Sequence, residues 1–231
     1  MPPEPRYRRP PCRMLPIGVL SRYNRAASML GTPAQLRPES EHAAWRELCF
    51  CLISPVTRFE AVKDCISRLE RRGILDRLSS NPELVKVKEI ERALSSRPGA
   101  CRFPAQKARR LAAASAFFYG NPMRSGVLRF LEKFPDSLAA REALVKQVPG
   151  LGMKEASHFL RNTGRGNRVA VLDVHLRRFM VENGIVDSRV AASDSPASYS
   201  SMEREFTSLA FNSGLDPAAL DQAIWEFMRE R

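Results

Sequence analysis

The sequence predicts an all-α protein, on three observations. Apolar residues recur at i, i+3, i+4 and i+7 in one segment after another, which is the spacing of a helix face. No stretch sustains the period-two alternation of a half-buried strand, and Pro, Gly, Asn and Asp fall at the edges of the periodic runs, where helix ends need them. About nine or ten helices are expected. At 231 residues the chain can form one domain, or two small ones, with real cores.

In chain order, the stretch from Met1 to about Pro38 is rich in Pro and Arg, with MLPIGVL (Met14 to Leu20) as an apolar island. An extended or partly disordered arm is expected there. Trp45, Leu48, Cys49 and Leu52 then mark a helix that Pro55 ends. Thr57 with Glu60 reads as a capping box opening a helix that carries Phe59, Val62, Ile66 and Leu69, with Gly73 beyond its end. Asn81-Pro82 starts another, closed before Arg97-Pro98-Gly99, and Pro104 suits the first position of a helix bearing Ala108, Leu111, Ala112, Ser115 and Phe118. Phe134-Pro135-Asp136 introduces a helix running into VPGLG. Beyond Met180, Asn183-Gly184 makes a turn and Asp187 to Tyr199 reads as an irregular connection. Met202, Phe206, Leu209 and Ala210 return to helical spacing, and Asp216-Pro217 starts the last helix, with Leu220, Ile224, Trp225 and Phe227.

The chemistry concentrates between Val148 and Met180. Pro149, Gly150 and Gly152 allow a tight reversal between helices and leave backbone N–H groups facing outward, a ready site for a phosphate. An ordinary helix connection would look the same. Lys154 falls in the first turn of the next helix, where the positive end of the dipole favours the amine over the ammonium, and a neutral amine is a nucleophile. Asp173 follows the apolar run Val169 to Leu172 and takes an N-cap position ahead of Leu176, Phe179 and Met180. Capping and catalysis are compatible roles for it, since a carboxylate held at a helix end can also balance a developing cation.

Composition bounds the partners. Lys and Arg total 37 against 25 Asp and Glu, a formal charge of +12, of which residues 1–40 carry only seven arginines against two glutamates. The basicity is general, and a nucleic acid is the natural polyanionic partner. Five cysteines (Cys12, Cys49, Cys51, Cys65, Cys101) without a Cys-x-x-Cys pair point to a reducing compartment. No run approaches the roughly 18 to 20 apolar residues needed to span a bilayer, and Met1 to Arg13 lacks an apolar signal core, so an intracellular place, cytoplasm or nucleoid (nucleus in a eukaryote), is expected. His42, His158 and His175 lack paired metal-ligand spacing, and no Walker loop, nucleophile elbow or dinucleotide fingerprint is present. Neither a metal nor a cofactor is expected.

PGLGMKEASHFLRNTG and VAVLDVHLRRF closely resemble the helix-hairpin-helix DNA glycosylases with a Gly/Pro-rich loop and an aspartate. Within them the chain is most similar to the second family of 8-oxoguanine DNA glycosylase/lyases, of archaea and some bacteria. WRELCFCLISP (Trp45 to Pro55) and CRFPAQKARRL (Cys101 to Leu111) extend the resemblance, which spans about Glu41 to Met228. It implies two helical subdomains with the active site in the cleft between them: residues 41–55 with 181–231, and 56–180 with the helix-hairpin-helix at about 138–164, after an arm of 1–40. It implies Lys154 as nucleophile and Asp173 as the catalytic carboxylate. Val148, Gly150 and Gly152 would lie on the DNA backbone, and Phe103 and Trp225 near an everted base. The partner implied is double-stranded DNA containing a damaged base, met by a monomer. A late four-cysteine cluster, which holds iron and sulfur in some relatives, has no counterpart. Two departures stand out: short members end in a Gly-Lys-containing tail that helps read the oxidised guanine, whereas here the chain ends WEFMRER, and Ser54-Pro55-Val56-Thr57 is less polar than its counterparts. The alternatives are a glycosylase for another damaged or mismatched base and a non-catalytic helix-hairpin-helix module; the latter would have no reason to keep Lys154 and Asp173 together.

Overall fold

The computed structural model describes residues 15–30, 36–121, 126–166 and 169–231. Thirteen α-helices and one 3-10 turn lie among them, with no strand: α1 Ile17–Leu30, α2 Glu41–Ile53, α3 Phe59–Arg71, α4 Ile74–Ser80, the 3-10 turn Pro82–Leu84, α5 Val87–Ser95, α6 Pro104–Tyr119, α7 Gly126–Glu132, α8 Ser137–Gln147, α9 Met153–Asn162, α10 Val174–Glu182, α11 Ser188–Ala191, α12 Pro196–Asn212 and α13 Pro217–Arg229. The count exceeds the nine or ten expected because α4, α7 and α11 are too short to show a period. The all-α class holds.

Local chemistry sets many of the ends. Ser40, Asp136, Asp173, Ser195 and Asp216 each accept a first-turn N–H at the start of α2, α8, α10, α12 and α13. Pro104, Pro196 and Pro217 sit in first turns, where a missing N–H costs nothing. The capping box at Thr57 does not form: α3 has no side-chain cap. The Thr57 hydroxyl turns instead to Lys107, whose ammonium donates to Thr57 Oγ1 at 2.5 Å and to the Pro55 carbonyl at 2.8 Å. Lys107 is buried, and burial lowers its pKa. Its two bonds fix the α2–α3 loop, on which Val56 stands 66% exposed with a left-handed φ of +54°, a costly conformation for a β-branched residue.

The apolar side chains form two cores. The first is built from α2 to α9 and includes Trp45, Phe118 and Phe159. The Trp45 indole N–H reaches the Leu75 carbonyl at 3.2 Å, so its polar atom is satisfied while the ring is buried. The second joins α1, Ala170, Leu172, α10, α12 and α13, with Phe179, Met202, Phe206 and Ile224 at its centre. This partition differs from the one expected. Residues 41–53 belong with the first core because Ala44, Trp45 and Leu48 are buried in it and α2 packs on α3, α4, α6, α7 and α9, and residues 170–180 belong with the second. The expected arm differs too: α1 is a helix laid along α13, tied by ion pairs Arg22–Glu230 and Arg25–Glu226, with Gly18 against the Phe227 ring. The arginines of residues 1–14 and Cys12 lie outside the described residues. Cys49, Cys51, Cys65 and Cys101 are free thiols and buried. No helix among the described residues is long and apolar enough to cross a membrane.

Candidate active site

The hairpin joins α8 to α9. Val148, Pro149, Gly150 and Leu151 make a β-turn closed by Leu151 N–H to the Val148 carbonyl at 3.2 Å. Gly150 takes φ +91°, and a Cβ there would lie 2.4 Å from Arg110 Cδ, so both backbone and space call for glycine. Gly152 is the N-cap of α9, extended and exposed, and no side chain caps the helix behind it. The first-turn amides of α9 therefore face outward at the positive end of the helix dipole, as an anion requires.

Lys154 stands in that first turn with its side chain 26% exposed, and Glu155 Oε1 lies 3.7 Å from Nζ. Asp173 caps α10, its Oδ1 accepting the Leu176 N–H at 2.9 Å. Both line one large cleft, with Thr57, His158, His175 and Trp225. The two groups thus project from the N-termini of two helices, one from each core, into common space.

The loop ahead of Asp173 is pinned residue by residue. Ala170 N–H donates to Glu203 at 2.8 Å, Val171 N–H to Asp221 at 2.9 Å, and Leu172 N–H to the Tyr199 hydroxyl at 3.3 Å, which itself donates to the Ala170 carbonyl at 2.6 Å. Each acid also pairs with an arginine from a hairpin helix: Arg141 of α8 grips Glu203 with both nitrogens, and Arg161 of α9 lies 3.4 Å from Asp221. All four charged side chains are buried. Burial pushes the Asp221 carboxyl up to about 6, and nearby Asp173 adds to the rise, against Arg161, Val171 N–H and Lys154. Glu203 and Asp221 escaped the sequence reading, although a signal existed. Each sits on an apolar stripe, Glu203 with Tyr199 and Phe206, Asp221 with Pro217, Ile224 and Met228.

Of the two rings expected at an everted base, one lines the cleft. Trp225 lines the cleft, edge-on to Phe59 and His175, with the Arg229 guanidinium 5.0 Å from its ring. Phe103 is not among the lining residues. Its backbone is left-handed (φ +57°) at the start of α6, and its ring, 52% exposed, has the Arg102 guanidinium 5.3 Å away. Only its neighbour reaches the cleft wall, through Arg102 N–H to Thr57. His158 packs edge-on to Phe50 with its Nδ1 buried and unpaired among the described residues, and burial, aided by Arg161 and Lys154, pushes its pKa well below 6.5. Among the described residues no group of three His, Cys, Asp or Glu is placed to hold a metal.

Two helices joined by a Pro-Gly turn with open amides make this a helix-hairpin-helix protein. Comparison narrows the class. The Ogg helix-hairpin-helix family, described as 8-oxoguanine DNA glycosylase, matches residues 34–215. An 8-oxoguanine DNA glycosylase/AP lyase of Metallosphaera sedula is 33% identical over 186 residues, covering 80% of this chain and 82% of that protein. One of Korarchaeum cryptofilum is 30% identical over 190 residues, 82% of this chain and 81% of the other. Among solved structures, the Methanocaldococcus jannaschii 8-oxoguanine glycosylase/lyase in complex with a 15mer DNA containing 8-oxoguanine aligns with a TM-score of 0.70 at 25% identity, over 92% of this chain and 90% of that one. The chain belongs to the 8-oxoguanine DNA glycosylase family.

Proposed function

We propose that this protein is a bifunctional DNA glycosylase/AP lyase that removes 8-oxoguanine from duplex DNA and then cuts the strand. One observation carries the reading: Lys154 and Asp173, each at the start of a helix, open onto the same cleft beside a hairpin with free amides. A damaged base inside a duplex is out of reach, so the nucleotide rotates out at a cost of a few kcal/mol while the hairpin around Val148, Gly150 and Gly152 holds its strand by a phosphate. The Lys154 amine bonds to C1′ as the glycosidic bond breaks, and the base leaves with that electron pair and takes up a proton. Asp173 balances the positive charge that develops on the sugar and helps carry the lysine proton. The sugar then opens as an imine. Loss of the acidified C2′ proton expels the 3′ phosphate, which is β-elimination.

The amine is the reason the strand is cut. Water directed by a carboxylate would remove the base and stop at an abasic site. Trp225, on the cleft wall, is a stacking surface for the everted base. The partner is double-stranded DNA containing the lesion, bound by a monomer, and the enzyme acts where the genome lies, in the cytoplasm and nucleoid or, in a eukaryote, the nucleus.

Duplexes carrying single defined lesions, scored with and without alkali, separate base loss from nicking. The 8-oxoguanine duplex is expected to be processed fastest, with nicking before alkali and a borohydride-trapped adduct that Lys154→Gln abolishes while DNA binding persists. Faster processing of a different lesion would overturn the substrate, and full trapping by Lys154→Gln would overturn the nucleophile.

A further inference from the structure

Asp221 is a buried carboxylate that the mechanism above does not use. It lies on α13, 3% exposed, one helical turn before Trp225. Its Oδ2 accepts the Val171 N–H at 2.9 Å, two residues before Asp173, and lies 3.4 Å from Arg161 Nη1. Arg161 is seven residues after Lys154 on α9, two turns along the same face. One carboxylate therefore touches the loop that aims the aspartate and the helix that carries the lysine, from the helix that carries the tryptophan.

We propose that Asp221 is a positioning residue for base excision, holding the Asp173 loop and the Lys154 helix in mutual register through its ionised carboxylate. The proposal rests on the Lys154–Asp173 reading of the site. The geometry makes the charge matter. Arg161 is buried and has the Asp221 oxygen as its ion-pair partner, so protonating Asp221 leaves a buried guanidinium uncompensated and weakens the acceptor for Val171 N–H. Either change lets Asp173 drift relative to Lys154, and a misplacement near 1 Å costs on the order of 10²-fold in rate.

The groups that act on Asp221 are few. From α9 they are Arg161 and Lys154, and from the adjoining loop Asp173. On the other elements packed against α13, His175 of α10 faces Trp225, Glu203 of α12 is held by Arg141, and Arg22 and Arg25 of α1 pair with Glu230 and Glu226. With its pKa raised to about 6, chiefly by burial, Asp221 is ionised at neutral pH and loses its charge as pH falls through 6. The excision rate should fall with it.

The test is the single-turnover excision rate of full-length enzyme on 8-oxoguanine duplex, from pH 5 to 9, with DNA affinity measured alongside. Wild type is expected to show an inflection near pH 6. Asp221→Asn keeps the shape and an acceptor oxygen but has no charge to lose. It should be roughly 10- to 100-fold slower at neutral pH, bind DNA within about twofold of wild type, and lack the inflection. Arg161→Gln removes the cation that draws the carboxyl pKa down, so its inflection should move above pH 6; this second variant keeps the proposal testable if Asp221→Asn folds poorly. An Asp221→Asn profile that overlays wild type, or an Arg161→Gln inflection that stays put, would overturn the proposal. Lys154→Gln is run in parallel with borohydride: a trapped adduct there would sink the site reading itself, a result separable from both pH profiles.

Discussion

Arg141 and Glu203 meet in a buried two-pronged ion pair, Nη1 to Oε1 at 2.5 Å and Nη2 to Oε2 at 2.7 Å, that joins the first helix of the hairpin to α12. Glu203 also holds the Ala170 N–H, and Arg141 donates to the Ser157 hydroxyl of α9. The pair crosses from one core to the other and fixes the hairpin against the loop that ends in Asp173. Removing one partner strands the other charge in the interior, so Glu203→Ala should cost about 3–5 kcal/mol. Urea unfolding is the measurement, with the midpoint falling while the slope is unchanged. A shift within about 0.5 kcal/mol, the range of ordinary surface changes, would mean that the pair is not what joins the cores.

Asp173 has two roles that substitution can separate. Asn is as good an N-cap as Asp, so Asp173→Asn should leave thermal stability almost unchanged and still slow base excision by roughly 10²-fold or more through loss of the charge. Asp173→Ala should lose the rate and also about 1 kcal/mol of stability. An Asp173→Asn enzyme with a near-wild-type excision rate would reduce the residue to a helix cap.

The two hairpin glycines should respond differently to alanine. At Gly150 the positive φ costs a side chain about 1–2 kcal/mol and Arg110 must move, so Gly150→Ala should lower both stability and DNA affinity. At Gly152 the backbone is one that any residue adopts, and the close neighbour, Glu155 Oε2 at 3.0 Å, is the end of a flexible side chain. Gly152→Ala should therefore keep its melting temperature and lose affinity alone, as read by fluorescence anisotropy with a labelled lesion duplex. Equal losses of stability in the two variants would contradict this turn geometry.

His158 sets a pH dependence of stability. Its pKa is well below 6.5 in the folded protein because it is buried, whereas the unfolded chain takes up the proton near 6.5. Below that pH the unfolded state binds more protons, so stability is complete above about 6.5 and declines as pH falls beneath it. His158→Phe, which places a ring beside Phe50 without an unpaired nitrogen, should gain on wild type as pH drops from 7 to 5. Parallel stability curves for the two proteins across that range would refute the assignment.

Helix starts were legible in the sequence because a cap or a first-turn proline is local chemistry. Asp136, Pro104, Asp173 and Asp216-Pro217 all mark real ends, and Lys154 falls in a first turn as expected. Partition of the cores was not legible, since α2 chooses its neighbours through contacts with α3, α4, α6, α7 and α9 that no local pattern encodes. Thr57 carries a capping signature yet serves a lysine fifty residues away, and that lysine, beside Arg109 and Arg110 on α6, looks like any solvated charge. Phe103 shows a related gap: residue type announces an aromatic ring, but nothing in the local pattern announces the left-handed backbone it takes before α6.

Lys107 has a last consequence. Its ammonium is held by a carbonyl and a hydroxyl rather than by an opposite charge, in a site closed to counterions. Mobile salt weakens the grip of exposed arginines on phosphate steeply but hardly reaches such a contact. The rim of the cleft, Val56 included, keeps its shape across ionic strengths at which the duplex is gained or lost, so a salt titration of this enzyme reads the electrostatics of docking and not a softening of the surface that receives it.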